Sequence, residues 1–345
     1  MTKELSIKII FAVLLLGSCK SSTKVEFIEF PVSKNINFEE FDVSGKLAFP
    51  FEITIYKDMI LVWDQKTDWF FKIFSLENFE YLGSLIRRGR GPEEEIEIAP
   101  YIRTIGEDAI LFQGTSFVKT ARILKYHEGL DLEVLEEFSL PAEMYDDTDI
   151  FFVNDNLYSS YGMRPFTRDF QGFSPQTGKL FEWGELLPVD KTQSSSIDEL
   201  FIFPKNTTVK PDNKYLATAY SLLPVIRIYD AKSGQMISEM HMADASENMQ
   251  ILNDNSSGYI GLVSYYILIK STNEYIYALY SGKQHTGNIP PYNEIHIWDW
   301  DGNPIMRLEF EMPVISFDVT NDNKDIVASS LFEIDKLFRA EIPWD

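Results

Sequence analysis

The chain has 345 residues, of which 45% are hydrophobic and 14% aromatic, so it carries enough apolar material for a packed core. Its formal net charge of −22 would repel nucleic-acid phosphates and anionic lipid headgroups, and nucleic-acid binding is not expected. Solubility is the simplest explanation of this acidity, and a site for a cation or a basic ligand is the alternative. A single cysteine allows no intramolecular disulfide.

The first nineteen residues have the organisation of a lipoprotein signal peptide. Lys3 and Lys8 give a weakly positive start, and an unbroken apolar run over 9–16 follows. That run suits a signal-peptide core and is shorter than the about 20 residues that a membrane-spanning helix needs. The next segment, Leu16-Gly17-Ser18-Cys19, looks like a lipobox: small residues fit the peptidase, and the cysteine thiol accepts a diacylglyceryl group.

The only cysteine of the chain lies where this signal requires it, which argues against a buried cysteine in a strand. We therefore predict a signal peptide over 1–18, cleavage before Cys19, lipid attachment at Cys19 including palmitate, and a polar tether over 19–24. Acyl chains, at about 0.8 kcal/mol per buried CH₂, anchor a protein without a transmembrane helix. The periplasmic leaflet and the outer-membrane surface both remain open as locations, although the tether lacks the acidic residues associated with surface export in Bacteroides-type lipoproteins.

Residues 25–345 contain a repeat of about fifty residues. At six places a β-branched or aromatic run turns through a polar residue into a second such run, the signature of a β-hairpin. These junctions lie 48 to 60 residues apart, at Asp58, Asp108, Asn156, Lys214, Glu274 and Asp325. Between them lies a second series of turns, at Asn78, Gly129, Gly178, Gly234 and Gly302. Each repeat thus supplies four antiparallel strands, the pattern of a propeller blade.

The sixth repeat ends after its third strand, whereas Val25–Phe30 is a spare alternating strand. We predict that Val25–Phe30 pairs with Leu337–Ile342, completes the last blade and closes an all-β, six-bladed β-propeller over 25–345, which also removes two exposed sheet edges. A β-sandwich or two small β-domains would not explain the regular spacing. Helical periodicity is nearly absent, with at most one turn at Ser194–Leu200.

A lipobox followed by six such blades resembles the Bacteroides-type six-bladed propeller lipoproteins of the TolB-like group. The most specific segment is Leu85–Glu94, where Gly89, Gly91, Pro92 and Glu94 match a G-x-G-P-x-E pattern that is similar to the glycine-rich turn of NHL-type propellers. Glu95 and Ile96 stand where the group has an aromatic residue. The resemblance implies the propeller fold and an envelope location for residues 25–345, and it implies no activity.

The same segment holds the only concentrated positive charge of the chain, at Arg87, Arg88 and Arg90. It connects two blades, and in propellers such a connection reaches the channel mouth. Guanidinium groups and glycine N–H groups suit carboxylate, sulfate or phosphate, so a contact for an anion or an acidic glycan is one interpretation. The stronger interpretation is a structural turn whose arginines pair with the neighbouring glutamates at 93, 94, 95 and 97.

Other candidate motifs are weaker. The segment 299–303 places oxygen ligands at alternate positions, as calcium requires, but it coincides with a predicted hairpin turn. No metal-binding spacing and no P-loop, dinucleotide or G-x-S-x-G motif occurs. We therefore predict no catalytic, cofactor-binding or metal-binding residues. Ordinary placements in strands, turns or loops are expected for the four histidines, His127, His241, His285 and His296.

These observations favour a membrane-anchored, non-enzymatic monomer that binds an envelope protein or a glycan. The alternative is an enzyme of the hydrolase or lactonase type with a divalent metal ion on the propeller axis. That alternative requires acidic and asparagine residues from the first strands of several blades, whereas the candidate first strands are rich in apolar residues.

Overall fold

The computed structural model describes residues 27–344, apart from 92–93, 100, 107, 115–118, 128–130, 146, 148, 161–166, 188–203, 255–259 and 289. The described residues form six small sheets arranged as the blades of a ring, so the predicted six-bladed β-propeller is confirmed. No described helix is long and apolar enough to cross a membrane. The predicted signal peptide, Cys19 and the tether lie outside the described residues.

The first three blades follow two N-terminal strands, β1 (Ser33–Asn35) and β2 (Glu39–Asp42). Blade one contains β3 (Pro50–Tyr56), β4 (Met59–Asp64), β5 (Trp69–Ser75), β6 (Tyr81–Arg88) and β7 (Glu94–Glu95). Blade two contains β8 (Arg103–Ile105), β9 (Ala109–Gly114), β10 (Thr120–His127) and β11 (Asp131–Ser139). Blade three contains β12 (Ile150–Val153), β13 (Asn156–Ser159), β14 (Phe170–Ser174) and β15 (Lys179–Trp183).

The second half of the ring repeats this order. Blade four contains β16 (Lys205–Val209), β17 (Tyr215–Tyr220), β18 (Val225–Asp230) and β19 (Met236–His241). Blade five contains β20 (Val263–Ser271), β21 (Tyr275–Gln284), β22 (Glu294–Asp299) and β23 (Pro304–Glu309). Blade six contains β24 (Ser316–Val319), β25 (Asp325–Ser329) and β26 (Lys336–Glu341). A 3₁₀ turn at Ala142–Met144 and a helix at Ser246–Asp254 lie between blades.

The hairpins of the blades form where turn chemistry predicts them. All six junctions between first and second strands lie at, or within one residue of, the observed turns. Asn154, Asn213 and Asn323 adopt φ of +50°, +58° and +59° in three of these turns, a left-handed conformation that asparagine tolerates better than most residues. Gly129, from the second series of predicted turns, lies outside the described residues, although β10 and β11 on either side of it are paired.

The core lies between neighbouring blades. Tyr56 and Phe71 of blade one pack in one cluster with Phe112 of blade two. Trp298 of blade five is fully buried and belongs to a cluster shared with blade four. Each sheet therefore covers the apolar face of the next, and no blade has a complete core of its own.

An N-terminal strand completes the last blade and closes the ring, as predicted. This strand is β2, so the prediction that it is Val25–Phe30 is wrong. Glu39–Asp42 pairs antiparallel with β26, in a register that places Glu39 opposite Arg339. Phe41 of this strand stacks on Phe79 of blade one, with ring centroids 4.0 Å apart, and so ties blade six to blade one. Ile28 and Phe30 of that segment contact blades four and five instead.

Residues 27–30 cross the seam between blades four and five. The Ile28 N–H donates to the His241 carbonyl at 2.9 Å, at the end of β19. The Phe30 ring lies 4.8 Å from that of Trp298 on β22. The chain then adds β1 in parallel to β23 of blade five before it reaches blade six. Residues 27–43, here called the N-terminal strap, therefore join blades four, five and six.

The closing strand generates a prediction about stability. Phe41→Ala removes the ring that stacks on Phe79, and we expect the free energy of unfolding to fall by about 2 kcal/mol. Phe27→Ala is the matched control, because the Phe27 side chain is 47% exposed at the start of the strap, and a change within about 0.5 kcal/mol is expected there. Urea unfolding of the two variants measures both values. Equal losses would contradict the assignment of β2 as the closing strand.

Candidate functional site

The axis of the propeller is narrow. The first strands of all six blades surround an axial cavity of about 40 Å³. About 10–15 Å³ is enough to hold one water molecule, so this cavity has room for a few water molecules at most. Its polar or charged wall includes residues from five blades, namely Thr54, Arg103, Thr208, Lys270 and Asp318.

Charged side chains at this axis are paired with one another. Lys270 Nζ lies 2.7 Å from Glu52 Oε1 and donates a second hydrogen bond to the Ile53 carbonyl at 2.9 Å. Arg103 forms an ion pair with Asp149, and both side chains are buried. Burial raises the pKa of Glu52, and the nearby Lys270 ammonium opposes that rise. The expectation of apolar first strands is therefore incomplete, because these strands carry buried ions at the axis.

The axial carboxylates also bear on the metal-dependent alternative. Asp318 accepts a hydrogen bond from the Ile55 N–H at 2.7 Å, and burial raises the pKa of this carboxyl group. Glu52 and Asp149 face Lys270 and Arg103, which compete with a metal ion for the same oxygens. Among the described residues, no group of three or more His, Cys, Asp or Glu side chains is placed to hold a metal ion.

The three arginines predicted as a contact loop lie on the outer part of blade one. Arg87 and Arg88 end β6, the fourth strand of the blade, and Arg90 follows in the turn. None of the three lines the axial cavity. The expectation that this loop borders the channel mouth is therefore wrong, because the arginines precede the chain's return to the axis at β8.

Arg88 holds the turn against its own blade. Its Nε donates to the Thr67 carbonyl at 2.8 Å, and its Nη2 donates to the Gln65 carbonyl at 3.1 Å. The guanidinium carbon lies 3.8 Å from the centre of the Phe70 ring, a cation–π contact. Arg88 therefore has a structural position, in which its donors are used within blade one.

The glycine-rich turn is filled by a carboxylate of the chain itself. The Gly91 N–H donates to Glu94 Oε2 at 2.9 Å. A Cβ atom at residue 89 would meet the same oxygen, so a larger residue there would displace the Glu94 carboxylate from the turn. Arg87 Nη1 lies 3.7 Å from Glu94 Oε1, and Arg88 Nη1 lies 3.9 Å from Glu97 Oε1. The pairing of arginines with neighbouring glutamates is thus observed for these two, while Arg90 is exposed and has no ion pair within the described part of the chain.

Beside this turn lies a groove of about 640 Å³ between blades one and two, here called the interblade groove. Its floor is apolar and includes Leu85, Phe112 and Leu124, all of which are buried. Trp69 and Val134 stand at its margin with 37% and 53% of their surface exposed. The charged residues that line it are Arg87, Glu94, Glu95, Arg122 and Glu137.

Most of the charge around the groove is internally neutralised. Arg122 forms ion pairs with Glu95 and with Glu137, the latter at 2.5 Å. Arg87 is the more available cation, because its side chain is exposed and its ion pair with Glu94 is long, at 3.7 Å. An apolar floor with a few charged groups at the margin, in a volume of about 300–1,000 Å³, is typical of a binding site.

The interblade groove brings together one predicted residue, Arg87, with several that the sequence did not reveal. Trp69, Phe112 and Val134 come from strands of two different blades, so no local pattern unites them. One local signal was present. Val134 and Leu135 are adjacent apolar residues among glutamates on an outer strand, and such residues are exposed without an evident structural need.

The remaining motifs have structural positions. Asp299 Oδ1 accepts hydrogen bonds from the backbone N–H groups of Asp301 and Asn303, at 3.0 and 2.8 Å, within the turn between β22 and β23. This is the hairpin turn that the sequence predicts. Three histidines form a hydrogen bond with a glutamate on the same or the neighbouring strand: His127, His241 and His296. The fourth, His285, forms one with Ser264.

The axial ion pair generates a second prediction. Lys270→Met leaves Glu52 buried without its cation, and we expect a loss of about 3–5 kcal/mol in the free energy of unfolding. Adding Glu52→Gln removes the stranded charge, so the double variant should recover most of that loss. Because burial already raises the pKa of Glu52, the single variant should also regain stability at acidic pH, where Glu52 is protonated. Urea unfolding across pH measures both effects, and additive losses in the double variant would contradict the pairing.

Comparison with known proteins agrees with this architecture. The sequence matches the family described as TolB-like 6-blade propeller-like over residues 26–322. No curated protein matches it. The fold is similar to that of a DUF4221 family member from Bacteroides vulgatus ATCC 8482, with 10% identity and a TM-score of 0.58 over 88% of this chain and 96% of that one. It is also similar to a protein of Bacteroides fragilis NCTC 9343 that is inferred to be exported, with 12% identity and a TM-score of 0.54 over 90% of this chain and 99% of that one.

At 10–12% sequence identity, similarity to these two structures shows the fold alone. The match to the family is a match of sequence, and it spans most of the chain. The resemblance inferred from the six repeats and the glycine-rich turn is therefore confirmed: the chain belongs to the TolB-like 6-blade propeller-like family.

Proposed function

We propose that the protein is a lipid-anchored, non-enzymatic binding protein of the cell envelope, and that its ligand lies in the interblade groove. One observation supports the binding site above the others: a groove of about 640 Å³ with a buried apolar floor has an exposed tryptophan, Trp69, and an exposed arginine, Arg87, at its margin. By contrast, the axial cavity has room for a few water molecules at most, and Lys270 is paired with Glu52 there.

The envelope location is supported by the sequence and by similarity. The lipobox at residues 16–19 predicts export and lipid attachment at Cys19. The structural relative from Bacteroides fragilis is itself inferred to be exported. The first contact of the described chain with the propeller is that of Ile28, so the lipid and the folded body are separated by at most about 30 Å of extended chain.

The groove proposal is tested by ligand arrays. Immobilised mature protein is exposed to host and plant glycans, to muropeptides and to peptides from envelope proteins. Trp69→Ala and Val134→Asp should each weaken a genuine groove ligand by about tenfold or more, because both side chains border the groove. Ile237→Asp is the matched control on β19, since Ile237 is 47% exposed and lies outside the groove. If all three variants bind a ligand with the affinity of the unaltered protein, that ligand binds outside the groove, which would contradict the proposal.

The anchor is tested separately. Cells that produce the full chain are grown with an alkyne-bearing palmitate analogue, and the protein is recovered from the membrane fraction. We expect the label on the unaltered chain and its complete loss on Cys19→Ser, together with retention of the signal peptide. Ser18→Thr tests the small residue before the cleavage site and should slow processing without removing the thiol. Equal labelling of the Cys19→Ser chain would contradict the lipid anchor.

A further inference from the structure

The outer edges of the blades differ in whether a further strand covers them. β7 pairs with the end of β6 in blade one, and β1 pairs with β23 in blade five. In blades two, three, four and six, the fourth strand, which in blade six is β2, has no strand beyond it among the described residues. β11 is the longest of these four open edges, with nine residues against five in β15, six in β19 and four in β2.

The protein shows that the outer edge of a blade accepts an added strand. β1 lies parallel to β23, and the short β7 lies parallel to the end of β6. Apolar residues next to β1 and β2 pack into the fold. Ile36, directly after β1, is buried, and Phe38, directly before β2, packs edge-on against Phe310 at 5.3 Å. Backbone pairing at an edge is thus combined with an apolar side chain in the neighbouring groove.

The open edge of β11 also combines unpaired backbone groups with exposed apolar side chains. No strand of the described chain covers it. Its backbone N–H and C=O groups pair with β10 on one side only. Val134 and Leu135 are 53% and 45% exposed, and Val134 borders the interblade groove. Exposed aliphatic residues beside an unpaired edge indicate a surface that another polypeptide covers.

The charge of this edge defines the partner. Glu133, Glu136 and Glu137 place three carboxylates on β11, and β10 sets Arg122, Lys125 and His127 beside them. Glu136 has no ion pair within the described part of the chain, and Arg122 is shared between Glu137 and Glu95. Two copies of this edge would bring like charges together, which disfavours pairing with an identical strand. Lysine or arginine side chains opposite these glutamates would be favourable.

We propose that β11 and the interblade groove bind an extended, basic segment of a partner protein. The segment adds a strand to blade two, places an apolar side chain against Val134, and sets lysine or arginine residues opposite the glutamates of β11. This inference rests on the proposed function, because it names the class of ligand that the same groove takes.

The test uses mature protein and fluorescein-labelled peptides. The probe is a short peptide of alternating valine and lysine, and its two counterparts alternate valine with glutamate or carry N-methylated valines that cannot pair with a strand. We expect the basic peptide to bind, with an affinity that falls as salt is raised. The acidic peptide should bind at least about tenfold more weakly, and the N-methylated peptide should lose binding.

Two protein variants separate this site from general attraction to an acidic surface. Val134→Lys should weaken the basic peptide by about tenfold or more, because it adds a like charge and removes the apolar contact. Ile237→Lys makes the same change on the open edge of blade four and should alter the affinity by less than about twofold. Both side chains are about half exposed, so both variants should fold, and a thermal melt confirms it.

Every outcome decides between the proposals. Equal effects of Val134→Lys and Ile237→Lys, or equal binding of the N-methylated peptide, would overturn the strand-addition site. If a glycan or a muropeptide binds in the groove and Val134→Lys leaves the affinity of the basic peptide unchanged, this inference fails and the proposed function stands. If no array ligand and no peptide responds to changes at Trp69 or Val134, both proposals fail.

Discussion

The ring depends on the pairing of β2 with β26. Four residues near the start of the described chain, Glu39–Asp42, complete the sheet whose other strands are the last three of the chain. Because every blade buries its apolar faces against its two neighbours, a gap at this seam would expose the core of blades six and one together. Phe41 lies at that seam and stacks on Phe79, so one contact joins the two ends of the repeat array.

The axis and the seams between blades are stabilised by different physical means. Between the blades, large apolar side chains such as Phe71 and Trp298 fill the widening space. At the axis, where the first strands converge, paired ions such as Lys270 and Glu52 fill the space, and their pairing avoids an isolated buried charge. A narrow, charge-paired axis leaves the wide outer seams as the places where a ligand has room, and the interblade groove is such a seam.

The blades could be predicted from the sequence because their signal is local. Turn residues such as Asn213 and Asn323 determine a hairpin within a few residues, and six hairpins at regular spacing determine the propeller. The closing strand could not be identified in the same way. Val25–Phe30 has the alternating pattern of a strand, whereas Glu39–Asp42 contains a single apolar residue, Phe41. Only its contacts with residues about 300 positions away identify Glu39–Asp42 as the closing strand.

The helix after blade four and the location of Arg87 were also not predicted correctly from the sequence. The helix Ser246–Asp254 was not predicted, although Asp244 and Glu247 have the spacing of a capping box and the Asp244 carboxylate accepts the Ser246 N–H at 2.9 Å. The location of Arg87 was predicted at the channel mouth, because a connection between blades passes from the outer edge to the axis and the sequence does not show where along that path a residue lies. The groove itself joins two blades and has no pattern in either alone.

The route of the N-terminal strap has a consequence for orientation. The strap meets the propeller at the seam of blades four and five, through Ile28 and Phe30. In a ring of six, that seam lies three blades from the seam of blades one and two, which is half a turn. A lipid at Cys19 would therefore hold the disc by one point of its rim and turn the opposite rim, with Trp69 and β11, toward the aqueous side.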